Sequence, residues 1–96
     1  MVVFKLSDQA KADLRQIGEY TLENFGAEQK AKYAEILKHH FRQLAQHPES
    51  GQVRDDWKEN YRSFPAGRHM IVYRITDGGI EIVGIPHQSR DLSREN

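Results

Sequence analysis

"SFPAGRHMIVYRI", residues 63–75, decides the fold. It reads as a β-strand entered through Pro65 and Gly67. Alternation along a strand puts Met70, Val72 and Arg74 on one face and Ile71, Tyr73 and Ile75 on the other. Both faces are therefore more apolar than a half-solvated strand allows. Arg68, His69 and Arg74 bracket the apolar run, and no acid lies within it. A strand with no plain solvent side has to be covered twice, and the rest of the chain shows what is available to cover it.

Downstream, "DGG" (77–79) signals a tight hairpin, because Asp-Gly and Gly-Gly tolerate positive φ. "IEIVGIP" (80–86) is the return strand, with Ile80 and Ile82 alternating with Glu81, Val83, Ile85 and His87. Upstream, "YRSFP" (61–65) is a strand joined to "RHMIVYRIT" (68–76) by a turn at Ala66-Gly67. "PESGQVRDDWKEN" (48–60) reads as loop. Near the N-terminus "VVFKL" (2–6) has the β-branched and aromatic content of a short strand.

Two helices fill the space between. Ser7 stands as an N-cap with Asp8 in the first turn. Ala10, Leu14, Ile17, Thr21 and Phe25 recur at helical spacing, and Gly26 suits the helix end. Tyr33, Ile36, Leu37, His40, Phe41 and Leu44 mark a second stripe, which His47-Pro48 stops. The short link at Gly26–Ala27 makes residues 7–47 an antiparallel helical hairpin with one apolar side. The order is β-α-α-β-β-β. The fold class is α+β, with the helical hairpin packed on one face of a small antiparallel sheet. Residues 1–96 form a single domain. The helices account for one sheet face. The other, apolar and rimmed by charge, reads as a partner surface.

Composition narrows the function. The chain is 38% hydrophobic and 29% charged, with zero formal net charge and no cysteine. It has no disulfide, thiolate metal site or cysteine nucleophile. No apolar run approaches the ~18 residues of a membrane span, and the N-terminus lacks a secretory signal. A cytoplasmic location is expected. Zero net charge argues against a generic nucleic-acid binder. Residues 1–48 hold five lysines and two arginines, residues 49–96 one lysine and six arginines. Arginine's planar fork suits carboxylates and phosphates, so Arg62, Arg68 and Arg74 point to recognition.

No cofactor or metal is expected. Gly78-Gly79 is a hairpin turn and not a phosphate cradle. His39-His40 are adjacent and cannot form an i, i+4 pair. Asp55-Asp56 lacks calcium-loop spacing. His40 reads as a partly buried histidine. Trp57 reads equally as a lid or as a partner contact. One constellation remains: Arg62, Arg68, His69, Arg74, His87 and Arg90 lie on or just past the sheet, and a histidine with two arginines meets the needs of ribonuclease chemistry.

The motifs that carry a resemblance are Arg62-Ser63-Phe64-Pro65-x-Gly67-x-His69, Val72-Tyr73-Arg74, Gly79-Ile80-Glu81-Ile82 and Ile85-Pro86-His87-Gln88. The first half adds Ala12-Asp13-Leu14, Tyr20, Phe25-Gly26, Phe41, Leu44 and His47-Pro48. Together they resemble the ParE toxins of the RelE/ParE superfamily over nearly the whole chain. The resemblance implies the toxin of a type II toxin–antitoxin pair, of the kind associated with plasmid stabilisation. It implies a non-catalytic inhibitor of DNA gyrase, neutralised by a ParD-type antitoxin whose flexible C-terminal part folds over the helical hairpin and sheet. Direct sequence-specific nucleic-acid binding is not expected. RelE-type ribonucleases place an arginine in the middle strand, another after the last strand, and a tyrosine or similar acid near the C-terminus. Here the first position falls on Met70, the second falls near His87 and the tail has no tyrosine, so these residues are mostly missing, which favours the ParE branch. The alternatives are a RelE-like ribosome-dependent mRNA endoribonuclease using His87, Arg68 and Arg90, or an inactive antitoxin-binding module. Target contacts are expected at Arg62, Arg68, Arg74, His87 and Arg90. Antitoxin contacts are expected at Leu14, Ile17, Tyr33, Leu37, Arg62 and Arg74.

Overall fold

The computed structural model describes residues 3–88, so Arg90 lies outside the described residues. The elements are β1 (Val3–Leu6), α1 (Asp8–Phe25), α2 (Ala27–Gln46), a 3₁₀ turn (Pro48–Ser50), β2 (Gln52–Val53), β3 (Tyr61–Ala66), β4 (His69–Thr76) and β5 (Gly79–Gly84). The expected α+β order stands, with one strand added: β2 lies in the stretch read as loop and pairs antiparallel with β3 through Gln52–Ser63 and Val53–Arg62. The sheet order is β1-β5-β4-β3-β2. Four strands are antiparallel, as expected. β1 instead runs parallel to β5, so the sheet is mixed. The helical hairpin that follows β1 supplies the long crossover a parallel pair needs.

Ser7 joins helix to sheet. Its Oγ accepts the Ala10 N–H at 3.0 Å, as an N-cap should, and donates to the Val83 carbonyl at 2.7 Å. Its backbone N–H continues the β1–β5 ladder onto the Ile82 carbonyl at 3.0 Å. Ser7→Ala removes the cap and leaves the Val83 carbonyl unpaired, so we expect a loss of about 1–2 kcal/mol in a urea melt. Gly26 ends α1 at φ 94° and donates its N–H to Leu22 O. A left-handed residue here turns the chain directly into α2.

The core lies between the hairpin and one sheet face. Leu37, Phe41, Leu44 and Ala45 of α2 and Ala10 of α1 meet Ile71, Tyr73, Ile80, Ile82 and Ile85. Thr21 is buried on α1, its hydroxyl satisfied by Ile17 O at 2.7 Å. Strict alternation would put Ile85 opposite Ile80 and Ile82. A β-bulge reverses it: Tyr73 pairs with Ile82 but Val72 with Gly84, so Val83 is the extra residue. One added residue shifts the parity of everything beyond it. Ile85 thus joins the same core as Ile82.

The second sheet face is not left open either. Ser63 and Val72 sit opposite one another there, 4% and 6% exposed. The loop after β2 folds over them. The Arg54 guanidinium lies 3.7 Å from the Trp57 ring centroid and reaches Ser63 Oγ at 3.3 Å and Met70 Sδ at 4.0 Å. Asp56 holds the same guanidinium with two contacts of 3.3 Å. A face expected to need a partner is in good part covered by the chain's own loop. Trp57 is part of this cover and also lines an open trough that runs to α1.

Candidate functional site

A wide, open trough of about 1260 Å³ runs from α1 past the β3–β4 turn and residues 83–87 to Val72, Trp57, Lys58 and Tyr61. Its walls are apolar: Ile17, Phe25, Tyr33, Val83, Ile85 and Pro86 all contribute. Small-molecule pockets run to roughly 300–1,000 Å³ and enclose their ligand. This trough is wider and open along its length, a shape that suits a polypeptide segment. It exists because β1 ends at Leu6 while β5 continues. The Ile85 N–H beyond the ladder is taken by the Asp13 carboxylate at 2.8 Å, and Gln9 holds the other oxygen of that carboxylate at 2.8 Å.

At one end stands a polar cluster built on Tyr33. Its hydroxyl lies 2.7 Å from His69 Nδ1 and 3.1 Å from both Ala66 O and Arg68 N. One arrangement satisfies every group: the hydroxyl donates to Ala66 O and accepts from Arg68 N–H and His69 Nδ1–H. His69 then gains or loses its proton at Nε2. Gly67 permits this approach. It sits at φ 60°, and a Cβ there would lie 2.8 Å from the Tyr33 ring. His87 forms a β-bridge with His69, and their rings meet edge-on at 5.2 Å. The Arg68 guanidinium lies 5.5 Å from the Phe25 ring centroid. Phe25 and Tyr20 are more than half exposed and pack edge to face. The trough thus ends in an aromatic patch with a cationic rim.

Burial is the main cause holding the His69 pKa below its ordinary value; His87 and Arg68 add to it and Asp13 opposes it. Burial likewise lowers that of His40, with His39 contributing. A histidine whose folded pKa lies below its unfolded value is protonated first in the unfolded chain. The associated stability is present above pH 6.5 and is lost as pH falls through the folded-state values. We expect a lower Tm at pH 5.5 than at pH 7.5. In a His40→Gln, His69→Gln double variant that difference shrinks, and a set of melts across this range reads it.

The residues expected to act together separate into three groups. Arg68, Ile17, Tyr33 and His87 line the trough. Arg62 lies on the helix side of the sheet and donates to the Gly51 and Glu49 carbonyls at 3.0 and 3.4 Å, where it braces the 3₁₀ turn. Arg74 projects from the opposite face and pairs with Glu81 at 2.7 Å. Arg62 and Arg74 therefore cannot serve one recognition surface. Leu37, expected as an antitoxin contact, is 1% exposed and offers no side-chain surface in this fold. Leu14 is half-buried against the core. Three features were missed: Asp13 as a cap on the strand end, Arg54 beside the Met70 position that lacks an arginine, and the exposed Phe25 patch. Asp13 carried a signal, since it interrupts the α1 apolar stripe next to Leu14.

Two helices on one face of a mixed five-stranded sheet, with an open trough beside the sheet end, define the protein as a small α+β domain. The chain matches the family model described as ParE toxin of type II toxin–antitoxin system, parDE, over residues 4–92, and it belongs to that family. It is 37% identical to Toxin ParE1 of Caulobacter vibrioides over 89 residues, covering 93% of this chain and 92% of that one. It is 34% identical to Toxin ParE1 of Mycobacterium tuberculosis over 92 residues, covering 95% and 94%. A solved structure described as the chromosomal ParDE TA system from P. aeruginosa shares the fold, with a TM-score of 0.77 at 21% identity over 91% of this chain and 96% of that one. Among the described residues no helix is long and apolar enough to cross a membrane.

Proposed function

We propose that this ParE-family toxin acts by binding and not by catalysis, that its target is DNA gyrase, and that a ParD-type antitoxin neutralises it in the cytoplasm. The observation that carries the reading is the trough. It is apolar along its walls, cationic at Arg68 and Lys58, and too open to hold a small substrate away from water. An extended or helical segment that folds on binding fits such a surface, with its apolar side chains on the walls and its acids at the rim. Arg68 and His87 are the residues placed to contact such a partner, with Ile17, Tyr33 and Phe25 beneath it. A gyrase inhibitor needs only a complementary surface, and family membership is what points to that target.

Expression in a bacterial host tests the toxin reading. Expressed alone, the chain should arrest growth, and co-expression with a ParD-type antitoxin should restore it. Normal growth with soluble, folded chain would make it an inactive antitoxin-binding module. The ribonuclease alternative is tested by adding purified chain to translating ribosomes, where we expect mRNA to stay intact.

A further inference from the structure

We infer that Arg68, His69 and His87 form a carboxylate subsite at the end of the trough, which captures an acidic side chain of a bound polypeptide and takes up a proton as it does so. The inference rests on the trough being a polypeptide site and adds what one end of it recognises.

Three nitrogen-bearing side chains converge there from two segments. Arg68 and His69 come from the β3–β4 turn and the start of β4, and the bridge to His87 brings in the chain after β5. All three line the trough. The Tyr33 hydroxyl fixes one histidine through Nδ1 at 2.7 Å, so the ring is oriented before any ligand arrives. With Nδ1–H committed to Tyr33, the proton that appears on binding is carried at Nε2, and the network beneath is unchanged. Among the described residues, the groups facing His69 are Asp13 from α1, Tyr33 from α2, Arg68 from the turn and His87 beyond β5. Three are basic or neutral, and the acid among them is already held by the Ile85 N–H and Gln9. A ligand carboxylate would stabilise imidazolium here, because a nearby anion favours the charged form. Burial, which favours neutral imidazole in the free protein, supplies the proton-linked part of the response.

The occupant is a peptide carboxylate and not a phosphodiester chain. The cations lining the trough are few, Arg68 with its two histidines at the corner and Lys58 besides, while Ile17, Val72, Val83 and Ile85 line it as apolar wall. Nucleic acid would need basic groups along its path. It would also bring its phosphates past Asp13, and the chain as a whole has no net positive charge.

The test uses the full chain and a short capped peptide alternating leucine and glutamate, with its glutamine counterpart as control. Binding is followed by fluorescence of Trp57, the only tryptophan, and the histidines are followed by imidazole NMR. The glutamate peptide should bind at least about fivefold more tightly at pH 6 than at pH 7.5, since each linked proton contributes up to about tenfold per pH unit. The glutamine peptide should show no such gain, and the His69 midpoint should rise only with glutamate. His87→Gln, at an exposed position, and His69→Gln should each reduce the pH response while apolar binding persists. Equal pH responses for the two peptides would overturn the subsite and leave the trough standing. Equal movement of the histidine signals by inorganic phosphate would also overturn it, making the corner a general anion site. No binding of either peptide would overturn the subsite together with the trough reading.

Discussion

Phe41→Ala should cost about 3–5 kcal/mol, the usual range for an aromatic truncated inside a packed core. Phe41 is 1% exposed on α2 and packs against Phe4 of β1, with ring centroids 5.3 Å apart. The contact bridges the hairpin and the parallel edge strand. β1 has only four residues and one strand neighbour, β5, so its packing on the hairpin through Phe4 and Leu6 matters to its place in the sheet. A domain of this size has a total stability of roughly 5–15 kcal/mol. The variant should therefore sit near the edge of folding at 37 °C. A urea titration reads the loss as a lowered midpoint. Hydrogen exchange should show β1 amides opening before those of β4. A loss under about 1 kcal/mol would mean that the site collapses around the deletion and that β1 is held by something else.

Tyr73→Phe should cost about 1–3 kcal/mol through a single oxygen. Tyr73 is fully buried, and its hydroxyl donates to Pro48 O at 2.6 Å and accepts the Gly51 N–H at 2.8 Å. Those two bonds pin the 3₁₀ turn to the centre of the sheet. Burial raises the Tyr73 pKa, so the phenol keeps its donor through the neutral range. Removing the oxygen leaves a donor and an acceptor without their partner in a closed space, which costs more than the bond itself contributes. Gly51 shows how closed the space is, since a Cβ there would run into the Tyr73 hydroxyl. At about 4–8 °C per kcal/mol for a domain of this length, the Tm change is easily measured by calorimetry. Gly51→Ala should be destabilising by the same route, with Tyr73 displaced.

The elements with local signals were legible from the sequence. Ser7 announces the start of α1 and Gly26 its end, Pro48 stops α2, and Asp77-Gly78 closes the β4–β5 hairpin, with Gly78 at φ 81°. What depended on distant contacts was not legible. Nothing in Val3–Leu6 says that its partner is β5 or that the pairing is parallel. The bulge at Val83 has no residue signature, yet it sends Ile85 into the core. The site divides in the same way. Arg68 and His87 lie at strand ends, and ends that meet in a hairpin stay together. Arg62 and Arg74 looked equivalent, but they belong to opposite faces once Arg62 is paired with Tyr73 and Arg74 with Tyr61. The covering of the outer face by Arg54 and Trp57 follows from how one loop closes, and composition does not encode that. Met70 lies under this lid beside the Arg54 guanidinium, whose charge Asp56 offsets.

The most direct test is a supercoiling assay with purified gyrase, relaxed plasmid and the purified chain. Added chain should block supercoiling or trap gyrase on cleaved DNA, and prior mixing with a ParD-type antitoxin should abolish the effect. Supercoiling at the normal rate in the presence of folded chain, alongside codon-linked cuts in mRNA on ribosomes, would contradict a toxin that works by binding gyrase.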